Sequence, residues 1–331
     1  MKALVYTAEK NLEFKDADDP KPAAGEALIR VKASGICGSD MHAWAGHDER
    51  RPAPLILGHE VAGEIVGFGG AVRRVTINPL VTCGECEACK AGRDNLCPTR
   101  QIISMPPREG AFAEYVAMPE SNLVNVPEHV AFESAALCEP MACGWHAVRL
   151  AREKLGGDLA NVRCVVMGGG AIGLGAALAF RAKGGVQVTI VEPNAARRER
   201  IADTTDIDCV NEIGANTDLA PHLVIDGVGI EATRKTASNL VKPGGLIMHI
   251  GLGSAQGGLD IRRMTLQEIT FIGTYTYTMA DFKATADAIF TGRLGKFGWI
   301  DKRPLAKGAQ AFDDIAAGNS AAPKIILQPF T

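Results

Sequence analysis

Four cysteines at 83, 86, 89 and 97 stand as C-G-E-C-E-A-C-K-A-G-R-D-N-L-C. Short gaps between the first three thiols and a longer one before the fourth let one loop fold back around a tetrahedral ion. Four thiolates close the coordination shell and leave no place for substrate, so Cys83, Cys86, Cys89 and Cys97 read as ligands of a structural zinc. Burial by packing is the competing account. The Lys, Glu, Arg and Gly residues of the loop speak against it. An iron–sulfur cluster satisfies the ligand set alone, but no other redox feature accompanies it. A nucleic-acid-binding zinc ribbon lacks its basic stripe.

A second set is scattered and open. Cys37 lies in G-I-C-G-S-D-M-H, His59 and Glu60 in L-G-H-E, and Glu139 in C-E-P. One thiolate, one imidazole and one or two carboxylates suit a catalytic zinc that keeps a position for water or substrate. Singly these signals are weak, because a lone cysteine is most often packed and a lone glutamate solvated. Beside a four-cysteine loop they become specific.

The third constellation is M-G-G-G-A-I-G at 167–173. Gly168, Gly170 and Gly173 fit G-x-G-x-x-G, with an apolar strand before them and a helix after. Such a turn, with Ile172 inside it, presents a helix N-terminus to a pyrophosphate. Glu192 ends the next strand at the position where a carboxylate accepts ribose hydroxyls and repels a 2′-phosphate. That favours NAD over NADP. Arg197 and Arg198 lie close by and add some phosphate affinity.

The elements that must hold these groups fall into two kinds. The first stretch is β-rich: LEF, EALIRVKASGIC, VAGEIVGF, RVTINPLV and AEYVAM are short runs broken by Gly and Pro. A helix over 140–155 follows. From Val162 six short apolar runs (VRCVVM, VQVTIVE, DCV, HLVID, GLIMHIG, ITFIG) alternate with the helical patterns AIGLGAALAFRAK, AARRERIADT and EATRKTASNLV. That is the grammar of an α/β doubly wound parallel sheet. A helix MADFKATADAIFTG, another over 310–317 and a strand KIILQ close the chain.

Composition narrows the rest. The chain has 331 residues, 47% hydrophobic and 22% charged, with a net charge of −3. Length favours about two domains. The charge balance argues against coating nucleic acid or an acidic membrane. The longest uncharged runs, 164–180 and 243–259, are short for a membrane span and glycine-rich. Charges interrupt the N-terminal residues before any signal-peptide core forms. Nine cysteines without a secretory signal point to metal ligation or buried thiols. The expectation is a soluble cytoplasmic protein.

G-H-E followed by V-A-G-E-I-V, the upstream C-G-S-D-M-H and the four-cysteine loop together resemble the zinc-dependent medium-chain alcohol and polyol dehydrogenases. The sorbitol and butanediol branch is nearest, because E-P follows Leu137-Cys138 where classical alcohol dehydrogenases carry a cysteine ligand. The resemblance covers essentially the whole chain. It implies a GroES-like catalytic domain over 1–141 and 278–331, and a Rossmann domain over 142–277. It implies that Cys37, His59 and Glu60 ligate the catalytic zinc, with Glu139 either a ligand or the holder of zinc-bound water. Both glutamates remain open as the carboxylate ligand. Ser39 and His42 match the family's proton relay, and Asp40 a carboxylate that orients the ligand imidazole. Ile250, Gly251 and Leu252, with Thr274 and Tyr275, match strand ends flanking the nicotinamide.

The implied reaction is oxidation of a secondary alcohol of a small polyol, diol or sugar acid to its ketone, or the reverse, with NAD and two zinc ions per chain. Its partner is a small hydrophilic substrate, and the assembly a homodimer or homotetramer. The alternatives are a non-catalytic zinc- and NAD-binding protein on the same fold, or an NADP-dependent reductase of a small carbonyl compound. Three departures stand out. G-F-G-G-A-V-R-R-V is a short connection, residues 211–222 are a brief one, and Tyr275-Thr276-Tyr277 replaces F-R-Y. The missing arginine argues against a sorbitol-like pose.

Overall fold

All six apolar runs after Val162 become strands in the computed structural model, which describes residues 1–67, 72–214 and 220–331. They are Arg163–Met167, Gln187–Val191, Asp208–Val210, Leu223–Asp226, Leu246–His249 and Thr270–Gly273. Every neighbouring pair is parallel. By chain position the spatial order is third, second, first, fourth, fifth, sixth. Helices cover both faces of such a sheet, so its strands read as continuous apolar runs. The order reverses beside the first strand, and ligands of doubly wound sheets bind at that switch point, outside the carboxyl ends.

The β-rich part forms a seven-stranded sheet. Leu123–Asn125, Arg73–Ile77, Glu60–Ile65, Glu26–Gly35, Lys324–Gln328 and Ile300–Pro304 lie in that order, and Tyr115–Pro119 pairs with Glu26–Gly35. Along Glu26–Gly35, Ala27, Ile29, Val31 and Ala33 turn inward in strict alternation. The α/β class with a second, β-rich GroES-like part is therefore borne out.

Several local expectations change. RVTINPLV is two strands, Arg73–Ile77 and Leu80–Val81. Pro79 has no amide to donate, and Asn78 Oδ1 accepts from Leu80 N at 3.1 Å to turn the chain. Helix Cys138–Lys154 begins two residues before Pro140 and so carries Glu139 in its first turn; it also spans the expected boundary between 141 and 142. The end of VAGEIVGF and the centres of the two short connections, 68–71 and 215–219, lie outside the described residues. Among the described residues no helix is long and apolar enough to cross a membrane.

Asp281 ties helix Cys138–Lys154 to helix Met279–Phe290. Its carboxylate accepts from Arg149 Nε at 2.7 Å, Arg149 Nη2 at 3.0 Å and Thr278 Oγ1 at 2.8 Å, and lies 2.7 Å from His146 Nδ1. Burial alone would raise its pKa; the bonds from His146, Arg149 and Thr278 outweigh burial and hold it well below 3.8. The native state then binds fewer protons than the unfolded chain near and below that value, so this contribution is present above about pH 4 and lost as pH falls. Asp281→Asn is expected to cost about 2 kcal/mol at neutral pH and to flatten the acid limb of a pH–Tm curve.

Candidate active site

Strand Glu26–Gly35 delivers Cys37 to the N-terminus of helix Gly38–Trp44, and strand Glu60–Ile65 brings His59 and Glu60 alongside. Ligand atoms of Cys37, His59 and Glu60 all lie within 4.8 Å of one another. Asp40, fully buried, organises the set. One oxygen accepts from Cys37 N at 3.0 Å; the other accepts from Gly58 N at 3.2 Å and sits 3.3 Å from His59 Nδ1. That contact turns Nε2 of the ring outward, as a metal ligand requires. Ser39 Oγ lies 3.4 Å from Nε2, whereas His42, on the same helix, is exposed.

Glu60 is buried beside Lys324. Lys324 Nζ donates to Glu60 Oε1 at 2.5 Å and to Ile36 O at 2.7 Å. Glu60 Oε2 is buried with no hydrogen-bond partner among the described residues, an acceptor left over for a cation. Gly35 makes the space: a Cβ there would come within 1.9 Å of that oxygen. Glu139 lies outside the three-residue group. Its Oε1 accepts from Tyr277 Oη at 2.7 Å. Burial, reinforced by the Glu60 charge and opposed by His59, pushes the Glu139 carboxyl up to about 7. For His59 burial works downward, but the charges of Asp40 and Cys37 outweigh it and raise the imidazole well above 6.5. A ligand imidazole is neutral, so metal uptake here expels a proton. One thiol, one imidazole and an orphaned carboxylate oxygen, all buried or nearly so, fit a zinc with an open position.

Cys83, Cys86, Cys89 and Cys97 also converge within 4.8 Å. Cys97 Sγ accepts from Cys83 N at 3.5 Å and contacts Thr99 Oγ1 at 3.5 Å; these contacts lower its thiol to about 6. Cys83 is lowered as well, by the amides of Glu85 and Cys86. Burial and the neighbouring thiols push Cys89 up to about 12. Four converging sulfurs, two of them with amides that favour the thiolate, fit a closed metal site.

Gly168, Gly170, Ile172 and Gly173 join strand Arg163–Met167 to helix Ala171–Ala182. A Cβ at Gly173 would strike Gly168 O at 1.9 Å, whereas one at Gly170 meets nothing within 4 Å. The second position therefore faces open space, as a phosphate-approach glycine must. Glu192 Oε2 accepts from Gly169 N at 2.9 Å and lies 3.3 Å from Arg197 Nη1. Ile250, Gly251 and Leu252 leave the carboxyl end of Leu246–His249; Thr274 and Tyr275 leave that of Thr270–Gly273.

Sequence reasoning did not find Tyr277 or Lys324 as site residues. Lys324 left a signal, a single charge at the head of the apolar strand K-I-I-L-Q. Tyr277 stood only as the last residue of the Tyr275-Thr276-Tyr277 run set against F-R-Y, and its partner Glu139, 138 positions away, could not be read from that.

Residues 23–128 match the family described as alcohol dehydrogenase GroES-like domain, and 171–291 match zinc-binding dehydrogenase. An L-galactonate-5-dehydrogenase of Escherichia coli (strain K12) is 33% identical over 88% of this chain and 91% of its own. A sorbitol dehydrogenase of Bacillus subtilis (strain 168) is 34% identical over 84% of this chain and 82% of its own. A solved zinc-binding dehydrogenase of Sinorhizobium meliloti 1021, bound to NADP, superposes with a TM-score of 0.86 at 27% identity and covers 99% of both chains. Identity sustained along most of the length, on the same two-part fold, establishes that this chain belongs to the zinc-dependent medium-chain alcohol and polyol dehydrogenases.

Proposed function

We propose that this enzyme interconverts a secondary alcohol of a small polyol, diol or sugar acid and its ketone, using NAD(H) and two zinc ions per chain. The observation that carries the reading is the Cys37–His59–Glu60 cluster with its unpartnered Oε2, joined through Glu139 and Tyr277 to the segment leaving the last strand of the dinucleotide-type sheet. The split into 1–141 with 278–331 and 142–277 belongs to the same proposal.

A zinc held by Cys37, His59 and Glu60 supplies Lewis acidity toward a carbinol oxygen, and a bound nicotinamide supplies the hydride acceptor. The chain's own residues do the rest. Asp40 fixes the His59 ring. Ser39 Oγ would accept the substrate proton while giving up its own hydroxyl proton, and His42, exposed on the same helix, would pass a proton to solvent. Glu139, its carboxyl pushed up to about 7 by burial and held by Tyr277, is divided near neutrality between a protonated donor and a charged acceptor. Cys83, Cys86, Cys89 and Cys97 hold the structural ion. Gly168, Gly170, Ile172 and Gly173 receive the pyrophosphate, while Ile250, Gly251, Leu252, Thr274 and Tyr275 flank the nicotinamide.

Glu192 supports NAD, since its carboxylate opposes a 2′-phosphate. Arg197 beside it and the NADP-bound relative mark the opposite tendency. The polar loop W-A-G-H-D-E-R-R-P and the sugar-acid and polyol relatives support a hydrophilic substrate. Among the described residues the outer edge of Thr270–Gly273 has no strand partner, and Leu252, Ile261 and Leu266 are exposed. That open edge supports a homodimer or homotetramer. Nine free cysteines suit a reducing compartment such as the cytoplasm.

The test is NADH formation over a panel of polyols, diols and sugar acids, with NAD and NADP in parallel. At least one panel member turns over, and kcat/KM with NAD exceeds that with NADP by roughly tenfold or more. A fully metallated protein inactive on the whole panel, in both directions, would overturn the reading.

A further inference from the structure

We propose that the four-cysteine lobe positions the catalytic centre as well as stabilising the fold: through Asp94, Asn95 and Arg100 it holds residues 275–279, whose Tyr277 orients Glu139. The inference rests on the Cys37–His59–Glu60 centre being where the chemistry occurs.

The contacts form one continuous chain. Asn95, inside the loop between Cys89 and Cys97 and 3% exposed, donates from Nδ2 to Tyr275 O at 2.7 Å. Asp94 Oδ2 accepts from Met279 N at 3.0 Å. Arg100 Nη1 donates to Cys97 O at 2.8 Å, its Nε donates to Tyr275 Oη at 3.2 Å, and its guanidinium lies 4.7 Å from the Tyr275 ring centroid. The lobe thus grips the segment at both ends, at 275 and at 279. Between those grips Tyr277, fully buried, reaches Glu139 Oε1 at 2.7 Å.

The gripped segment needs holding. Thr276 sits at φ +46°, in the left-handed region that β-branched residues rarely occupy, and its Oγ1 is buried without a hydrogen-bond partner among the described residues. A backbone of this kind persists only where its surroundings over-determine it. Here the lobe supplies a hydrogen bond on each side of Thr276, and Asp281 holds Thr278 as well. If the grips are released, Thr276 relaxes toward an ordinary conformation. Tyr277, one residue on, then turns away from Glu139 without any change to the ligands Cys37, His59 and Glu60. Asp94, Asn95 and Arg100 are positioning residues, acting on the centre through Tyr277.

The test uses the full-length, metallated enzyme. Asn95→Asp keeps the shape and removes the donor; Asp94→Asn keeps an acceptor for Met279 N and serves as the conservative control. With the cysteine-lobe metal intact by metal analysis, Asn95→Asp is expected to lower kcat roughly tenfold. The electronic spectrum of enzyme carrying cobalt at the catalytic site should shift as well, because Glu139 moves. Asp94→Asn, which keeps a weaker acceptor at one grip, changes both less than Asn95→Asp does. In a Tyr277→Phe background Asn95→Asp adds little, since the link is already cut. Should Asn95→Asp shed the lobe metal, Arg100→Met replaces it with the same expectations. The inference is overturned if both variants retain lobe metal with unchanged kcat and cobalt spectrum, or if Asn95→Asp costs as much in the Tyr277→Phe background as in the wild-type enzyme. A wild-type enzyme that is inactive on every substrate overturns the functional reading instead; the cobalt spectrum still tests the brace.

Discussion

Cys37→Ser is expected to abolish turnover and leave dinucleotide binding almost untouched. Cys37 is the one soft ligand of the open site, and its backbone caps a helix whose Asp40 aligns His59. Serine preserves the cap but does not offer a thiolate. Losing a Lewis acid removes several kcal/mol of transition-state stabilisation, so kcat/KM falls by about 10³ or more. Metal content drops from about two ions per chain to about one, because the four-thiol site is separate. The glycine turn at 168–173 lies on other elements, so the Kd for NADH, read by fluorescence, stays within about twofold. Retained activity in protein lacking the catalytic ion would sink the scheme.

Lys324→Met is the second large effect, and its size depends on metal. Lys324 and Glu60 are both buried, and Lys324 is the hydrogen-bonded cation of Glu60. Burial works to lower the Lys324 pKa; the Glu60 and Cys37 charges outweigh it and raise it. Removing one member of such a pair leaves an uncompensated buried charge, at a cost of about 3–5 kcal/mol. In chelator-treated protein Tm therefore falls by roughly 10 °C. In zinc-loaded protein the divalent ion neutralises the same carboxylate and the fall is much smaller. Equal losses with and without metal would show that Lys324 acts only by packing. Lys324→Arg, which keeps the charge, separates charge from shape.

Legibility followed the range of the interaction. The six parallel strands were readable because each is a short apolar run; the four central ones are largely buried, while the edge strands Asp208–Val210 and Thr270–Gly273 are only partly so. Cys37, His59 and Glu60 were readable because the motifs around them carry their local scaffolding: the Asp40 that sets the ring lies three residues from the thiol. The strand Ile300–Pro304 was not readable, since I-D-K-R-P sits at a sheet edge, where charge and proline are tolerated and no apolar run is needed. The choice between the two glutamates was closed to the sequence. It depends on where helix Cys138–Lys154 starts and on a tyrosine and a lysine that arrive from the far end of the chain.

The distance in sequence between Glu60 and Lys324, 264 positions, bears on how the protein assembles. The thiol, imidazole and carboxylate come from neighbouring strands, and their short sequence separation leads to the expectation that they gather before the C-terminal strand docks, while Glu60 is still hydrated. Sealing that carboxylate away from water requires a positive partner at the moment of dehydration. The ammonium comes only with the C-terminal strand, after the longest loop closure at the centre. A dissolved divalent ion needs no loop to close. Ion and strand are therefore expected to compete to neutralise one anion during refolding, so that refolding rates measured with and without zinc should differ.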